Sequence, residues 1–223
     1  MKSLLADLDI PADTLLLKII NATGLTQSSI QKVIEMQTPQ LLHDEKDVRP
    51  GMFLTREGYV SRNYVADETV ALVLGEGKGK VKAMYLEGKE MPFSTSNLSV
   101  DTVGHDGLDA TRLIVATART QKMHAEAAEF CQAFALPGLV KKGDAYLLSE
   151  EEVKEVQSYF FNIQEALRSV NFTNGCLWTS TMERKETATA LVYSMRSLTI
   201  CPEILDFPQF VYPAFWVPFR KNC

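Results

Sequence analysis

The most reactive side chains in the sequence are its four cysteines, Cys131, Cys176, Cys201 and Cys223. A thiolate can attack, ligate a metal or enter a disulfide, and each use needs a second group at a set spacing. No two of these cysteines show Cys-x-x-Cys spacing, so zinc-ribbon and thioredoxin-like chemistry lack their second ligand or redox partner. The spacing predicts isolated thiols, buried or at a chain end, and the even count permits a disulfide without requiring one. His124-Ala125-Glu126 matches the first half of a zinc deaminase signature, but the Pro-Cys-x-x-Cys half is missing. Only His43 and His105 remain, too scattered for a metal site, and His124 is expected on a helix surface. Gly75-Glu76-Gly77-Lys78-Gly79-Lys80 invites a phosphate-loop reading, yet it lacks the four-residue spacer and the Ser/Thr after Lys, which leaves a charged hairpin tip. There is no Gly-x-Ser-x-Gly elbow for a hydrolase triad. No catalytic residue, metal ligand or cofactor is therefore assigned from the sequence.

The elements that must position any site are those of a sizeable globular chain. With 223 residues, 46% of them hydrophobic and 23% charged, it can bury a core without metal or disulfide staples. The formal net charge is −5. Phosphate contacts supply most of the affinity of a general nucleic-acid binder, so an acidic chain disfavours nucleic acid and anionic membrane as partners. No apolar run reaches the length of a membrane span. The early Leu15-Leu16-Leu17 and Ile19-Ile20 run is broken by Lys18 and preceded by Asp7, Asp9 and Asp13, unlike a secretory signal. The chain thus reads as cytoplasmic, or as the trimmed form of a cell-surface or secreted protein.

Residues 1–48 read as a helical appendage. Pro11 and Asp13 suit a first helical turn, and Leu15, Leu16, Ile19 and Ile20 form one apolar stripe. Gly24 is a C-cap candidate, and Thr26 an N-cap candidate for a second helix carrying Ile30, Val33 and Ile34. From Pro50-Gly51 onward, runs at 52–54, 58–60, 69–74 and 80–86 predict a meander of hairpins with turns at Gly75–Gly79 and Gly88. Helical spacing predicts one helix over 110–134 and a second over 150–170, the latter opened by a Ser149/Glu152 capping box. After Asn174-Gly175 the chain returns to short β-runs as far as Phe219. The fold class is α+β with helices segregated in sequence, divided into the 1–48 appendage and a 49–223 domain.

Several strings in that order resemble a bacterial C-type-lectin-like domain family, within the superfamily of formylglycine-generating enzymes and phage tropism determinants. Asp106-Gly107-Leu108-Asp109-Ala110-Thr111 is similar to the family's Asp-Gly-x-x-Asn-Thr lead into its first helix. Ala127-Ala128-Glu129-Phe130-Cys131 resembles the end of that helix, and Tyr146-Leu147-Leu148-Ser149 with Glu152 resembles the start of the next. Leu177-Trp178-Thr179-Ser180-Thr181 resembles the Tyr-Trp-Ser-Ser-Thr-Glu strand, and Val211-Tyr212-Pro213 the Val-Arg-Pro of the last strand. The resemblance spans roughly residues 50–219. Met182 and Tyr212 stand where the family carries Glu and Arg, which takes away its polar features there. Trp178 itself is expected to be a core anchor, with the neighbouring hydroxyls tying adjacent backbone.

The resemblance implies a C-type-lectin-like fold and a ligand face built from loops of the C-terminal half. Calcium-type sugar binding would need Glu-Pro-Asn or Gln-Pro-Asp followed by Trp-Asn-Asp, and neither string occurs. Formylglycine-generating chemistry would need clustered cysteines and an Arg-Gly-Gly-Ser-Trp string, also absent. The reading is a non-catalytic, calcium-independent module binding a protein or glycan. Ligand-binding candidates are Arg184, Lys185, Tyr193, Arg196, Tyr212 and Trp216, because Arg and aromatics dominate binding hot spots. Phe207, Phe210, Phe215 and Phe219 add to that aromatic density, and alternate members are expected to finish the core. Two other readings stand beside it. Gly24 to Ile34 resembles part of a helix-turn-helix, which would make the chain a DNA-associated regulator, although residues 1–48 hold four Lys against seven acids. That acidic balance favours a helical hairpin packing on the domain or mediating homo-oligomers. A cysteine-dependent oxidase is the third reading.

Overall fold

A computed structural model describes residues 26, 29, 47–170, 176–183, 189–194, 199–218 and 220. Among them the chain forms ten strands and four helices, an α+β arrangement. The strands are β1 (Phe53–Thr55), β2 (Val60–Ser61), β3 (Thr69–Gly77), β4 (Lys80–Tyr85) and β5 (Lys89–Met91). Then come α1 (Gly107–Gln121), α2 (Glu126–Ala133), α3 (Glu150–Gln157) and α4 (Phe160–Ser169). The last strands are β6 (Cys176–Glu183), β7 (Thr189–Ser194), β8 (Thr199–Ile204), β9 (Gln209–Val211) and β10 (Ala214–Pro218).

Two five-stranded sheets result, in the orders β10-β4-β3-β1-β2 and β5-β9-β6-β7-β8. The β3–β4 hairpin turns at Lys78 and Gly79, both with positive φ (51° and 75°), the combination a two-residue turn needs to match the strand twist. The glycine-rich string is therefore a hairpin tip, as its missing spacer implied. The region around Pro213 is not one closing strand. Pro213 lacks an N–H for a ladder, and the chain leaves the second sheet after Val211 and joins the first at Ala214. β10 then pairs antiparallel with β4, and Arg220 forms a parallel bridge with Tyr59.

Both long helices expected from periodicity are split. The first ends at Gln121 because Lys122 turns left-handed (φ 57°), and the Met123 N–H then reaches the Ala118 carbonyl at 2.8 Å. This is a glycine-type helix stop built with lysine. The apolar positions continue through Ala125, which precedes α2, and Ala127, Ala128 and Cys131 within it, all fully buried. The second is interrupted after Ser158, which keeps helical angles, by Tyr159, whose backbone departs from helical at φ −106°, ψ 20°. At its start the Ser149/Glu152 capping box is complete in both directions. Asp106 caps α1 by accepting from the Asp109 N–H at 2.9 Å.

Three apolar clusters fill the layers. One joins α1 and α2 to the second sheet through Ile114, Ala128, Trp178 and Val211. A second lies between both sheets and α3/α4, with Leu72, Met84, Val153, Ile163, Leu177 and Tyr193. A third covers the other face of the first sheet, with Leu54, Val73, Val81, Phe215 and also Val48, so the packed domain begins no later than that residue. Leu72 and Val73 are neighbours in β3 yet belong to different clusters, as do Leu177 and Trp178 in β6. Both sheets are thus buried on both faces where these strands run. The appendage lies outside the described residues apart from Thr26, Ser29, Asp47 and Val48. At Thr26 the hydroxyl accepts from the Ser29 N–H at 3.3 Å, the contact expected of an N-cap.

Candidate functional site

Charged, aromatic and hydrogen-bonding side chains converge at one place, where β4, β10 and the start of α3 meet. Lys82 on β4 faces Trp216 directly across the β10 ladder. Its ammonium lies 5.2 Å from the indole centroid, 3.0 Å from Glu152 Oε1 and 3.3 Å from Glu155 Oε2. Lys82 is only 7% exposed, whereas Trp216 is 38% exposed. Glu152 is fully engaged. Its Oε2 accepts the Ser149 N–H at 3.0 Å, and its Oε1 accepts the Tyr146 hydroxyl at 3.1 Å as well as the lysine.

Local sequence explains each placement. Tyr146 is held by two backbone hydrogen bonds with Ala214, at 2.8 and 2.9 Å, which set it beside β10. Glu152 is fixed by the capping box, and Glu155 follows one turn later on the same helix flank. Gly107 must be glycine, since a Cβ there would lie 2.3 Å from Glu152 Oε2 and 2.5 Å from the Leu147 carbonyl oxygen. Burial, and then the adjacent Glu152 carboxylate, hold the Tyr146 phenol well above the usual tyrosine range. The hydroxyl is therefore a permanent donor to Glu152. The Lys82 side chain is thus committed to two carboxylates and an aromatic face. Chemically the arrangement fixes a half-exposed indole on a rigid charged base.

Of the sequence candidates among the described residues, Trp216 alone is brought to this place. Tyr193 (2% exposed) and Tyr212 (4%) lie inside the second cluster, because β7 and the β9–β10 link face the space between the sheets. Burial pushes the Tyr193 phenol up to about 12. The Tyr212 ring stacks on Phe210 at 5.8 Å and passes so close to Gly88 that a Cβ there would lie 2.2 Å from it. Arg184, Lys185 and Arg196 lie outside the described residues, as does Phe219. Phe215 is buried and Phe207 is exposed, so the C-terminal aromatics divide between core and surface. Reading the sequence missed Lys82 and Glu155 as site members and took Tyr146 and Glu152 only as signs of a fold. Glu152 carried a signal, its capping box; Lys82 carried none, because a lysine between Val81 and Ala83 reads as the solvent side of a strand.

The other candidates separate. Trp178 is 1% exposed, donates to the Met91 carbonyl at 3.0 Å and meets Phe93 edge-on, confirming a core anchor. The hydroxyls beside it bind backbone: Thr179 donates to the Leu191 carbonyl at 2.8 Å, and Thr181 accepts the Glu150 N–H at 2.9 Å. His124 is exposed on α2's leading edge, 3.6 Å from Glu129, while Glu126 accepts from Thr95. Burial raises the Cys131 thiol far above its ordinary value. Cys176 and Cys201 sit on β6 and β8 with β7 between them. Two strand spacings are roughly 9–10 Å, beyond the Cα reach of a disulfide. Among the described residues, no group of three or more His, Cys, Asp or Glu is placed to hold a metal ion, and no helix is long and apolar enough to cross a membrane. The chain matches no protein-family model, no curated protein and no solved structure.

Proposed function

We propose that this chain is a non-catalytic, calcium-independent binding module of C-type-lectin-like architecture, and that Trp216 anchors its ligand. The order of the elements and the return of β10 to the first sheet support the architecture. The observation that carries the function is the half-exposed indole held on a buried base of Lys82, Glu152 and Tyr146. A large aromatic that keeps one position before the ligand arrives loses little conformational freedom on binding, the usual property of a hot spot. Beneath it, Lys82, Glu152 and the Tyr146 hydroxyl are engaged with one another.

The test is binding of the labelled chain to printed peptide and glycan arrays in excess chelator, beside its Trp216→Ala variant. Binding should persist in chelator and be lost from the variant. Binding that requires calcium, or that survives Trp216→Ala, refutes the assignment.

A further inference from the structure

Helix α1 turns a cationic face to solvent. Its buried positions, among them Ala110, Ile114 and Ala118, face the core, and Arg112, Leu113, Ala116 and Arg119 are left exposed. Residues 110–125 contain Arg112, Arg119 and Lys122 and no acid. Arg112 and Arg119 are two helical turns apart, about 10 Å along the axis and on one side of it. The loop after α2 adds two more cations. Gly143 donates its N–H to the Gln132 carbonyl at 2.9 Å, and its own carbonyl accepts from the Arg112 guanidinium at 3.3 Å. Lys141 and Lys142, both exposed, therefore stand beside the first arginine. Among the described residues none of these five cations makes an ion pair, unlike Lys82 and Lys154. Asp109 and Asp144 border the face, while Glu126 accepts from the Thr95 N–H and hydroxyl and Glu129 lies beside His124. The helix dipole accounts for Arg119 and Lys122 at the α1 C-terminus, but not for Arg112, Lys141 or Lys142.

We infer that this face docks a short acidic segment of a partner protein. The inference goes beyond the ligand assigned to Trp216, which lies on the first sheet, and uses none of that site's residues. Five cations against two bordering acids make a positive surface on a chain whose total is −5, so the rest of the molecule is more negative than the whole. That imbalance limits the length of the partner. A long polyanion such as nucleic acid, or an anionic membrane surface, extends past the face and meets the acidic remainder, whereas a short acidic segment ends within it. The side chains point the same way. Each arginine offers a planar fork that matches a carboxylate, and Ala116 between them, with Leu113 (37% exposed) alongside, supplies apolar contact for a partner's side chains.

The experiment is fluorescence anisotropy of the full chain with a short labelled Glu/Ala peptide at low ionic strength. Its Lys/Ala counterpart and a single-stranded DNA are run beside it, and phosphatidylserine vesicles are tested by co-sedimentation. The Glu/Ala peptide should bind, and more weakly as salt rises. Arg112→Glu/Arg119→Glu should weaken that binding about tenfold or more. Lys141→Glu/Lys142→Glu leaves α1 unaltered and should weaken it as well, so a fault in the helix cannot pass for loss of the face. The same change in net charge at the β3–β4 tip, Lys78→Glu/Lys80→Glu, should have little effect, and Trp216→Ala none. No binding of the Glu/Ala peptide, or equal weakening by the hairpin-tip pair, overturns the inference. Arg112-dependent binding of DNA or vesicles that exceeds peptide binding assigns the face to another class of partner and overturns it too. Peptide binding lost in Trp216→Ala also overturns it, since the two surfaces would then be one.

Discussion

Replacing Lys82 with Met keeps most of the buried alkyl stem and removes only the charge. At 3.0 Å, and with an effective dielectric near 20, the attraction between Lys82 and Glu152 is about 5 kcal/mol before desolvation is set against it. Removing one partner of a buried pair typically costs about 3–5 kcal/mol, because the other charge is left uncompensated. Here the side chains retain 9% and 14% exposure, and Glu152 keeps the Ser149 N–H and the Tyr146 hydroxyl. Both facts soften the loss, so Lys82→Met should cost about 2–3 kcal/mol. For a domain of this size that is a drop in Tm of about 5–10 °C. Glu155 is 73% exposed, and Glu155→Gln should cost under about 1 kcal/mol. Urea unfolding followed by circular dichroism measures each value, and the Glu152→Gln single and Lys82→Met/Glu152→Gln double variants close the cycle. The double variant should recover about half or more of the single loss, since no charge is then stranded. A Lys82→Met cost below about 0.5 kcal/mol, or a double variant that is simply additive, would refute the claim that this pair is buried and coupled.

Three further outcomes follow from the same geometry. Tyr146 and Tyr193 are held protonated in the folded chain and ionise near 10 when unfolded, so stability is complete below about pH 10 and falls as pH rises toward 12; Tyr193→Phe should flatten that decline in alkaline urea titrations, and an unchanged slope contradicts it. Gly88→Ala forces a Cβ into the Tyr212 ring and should cost about 1–3 kcal/mol by thermal unfolding, whereas a neutral result would mean the ring moves freely. Ser180 buries a hydroxyl oxygen that has no hydrogen-bond partner, so Ser180→Ala should fall within about 0.5 kcal/mol of the parent or stabilise it, and a loss above about 1.5 kcal/mol would show that the hydroxyl is bonded.

Local signals were the legible part. The Ser149/Glu152 capping box, the Thr26 cap contact, the Lys78-Gly79 turn and the strand positions between residues 53 and 85 all depend on residues within a few places of one another. Their backbone requirements are written in adjacent residue types. Burial of Trp178 was legible as well, because a large aromatic among small hydroxyl residues packs inward on any strand with a covered face. The helix over 110–134 was not legible as two helices. Periodicity carries through Ala125 and Ala128, and nothing in lysine's own preference announces a left-handed stop at position 122.

Composition and alternation determined an α+β chain and the spacing of its strands. Tertiary structure decided what those strands face. Alternation tells a residue which side of its strand it occupies, not whether that side is covered. Lys82 reads as solvent-facing, yet β4 lies between β10 and β3 in a sheet packed on both faces, and α3 brings two carboxylates down on it. The same strand order placed Trp216 opposite Lys82, 134 positions away in sequence, and set β7 between Cys176 and Cys201. Contacts over such separations come from the order in which strands pair, and that order is fixed only when the whole core closes.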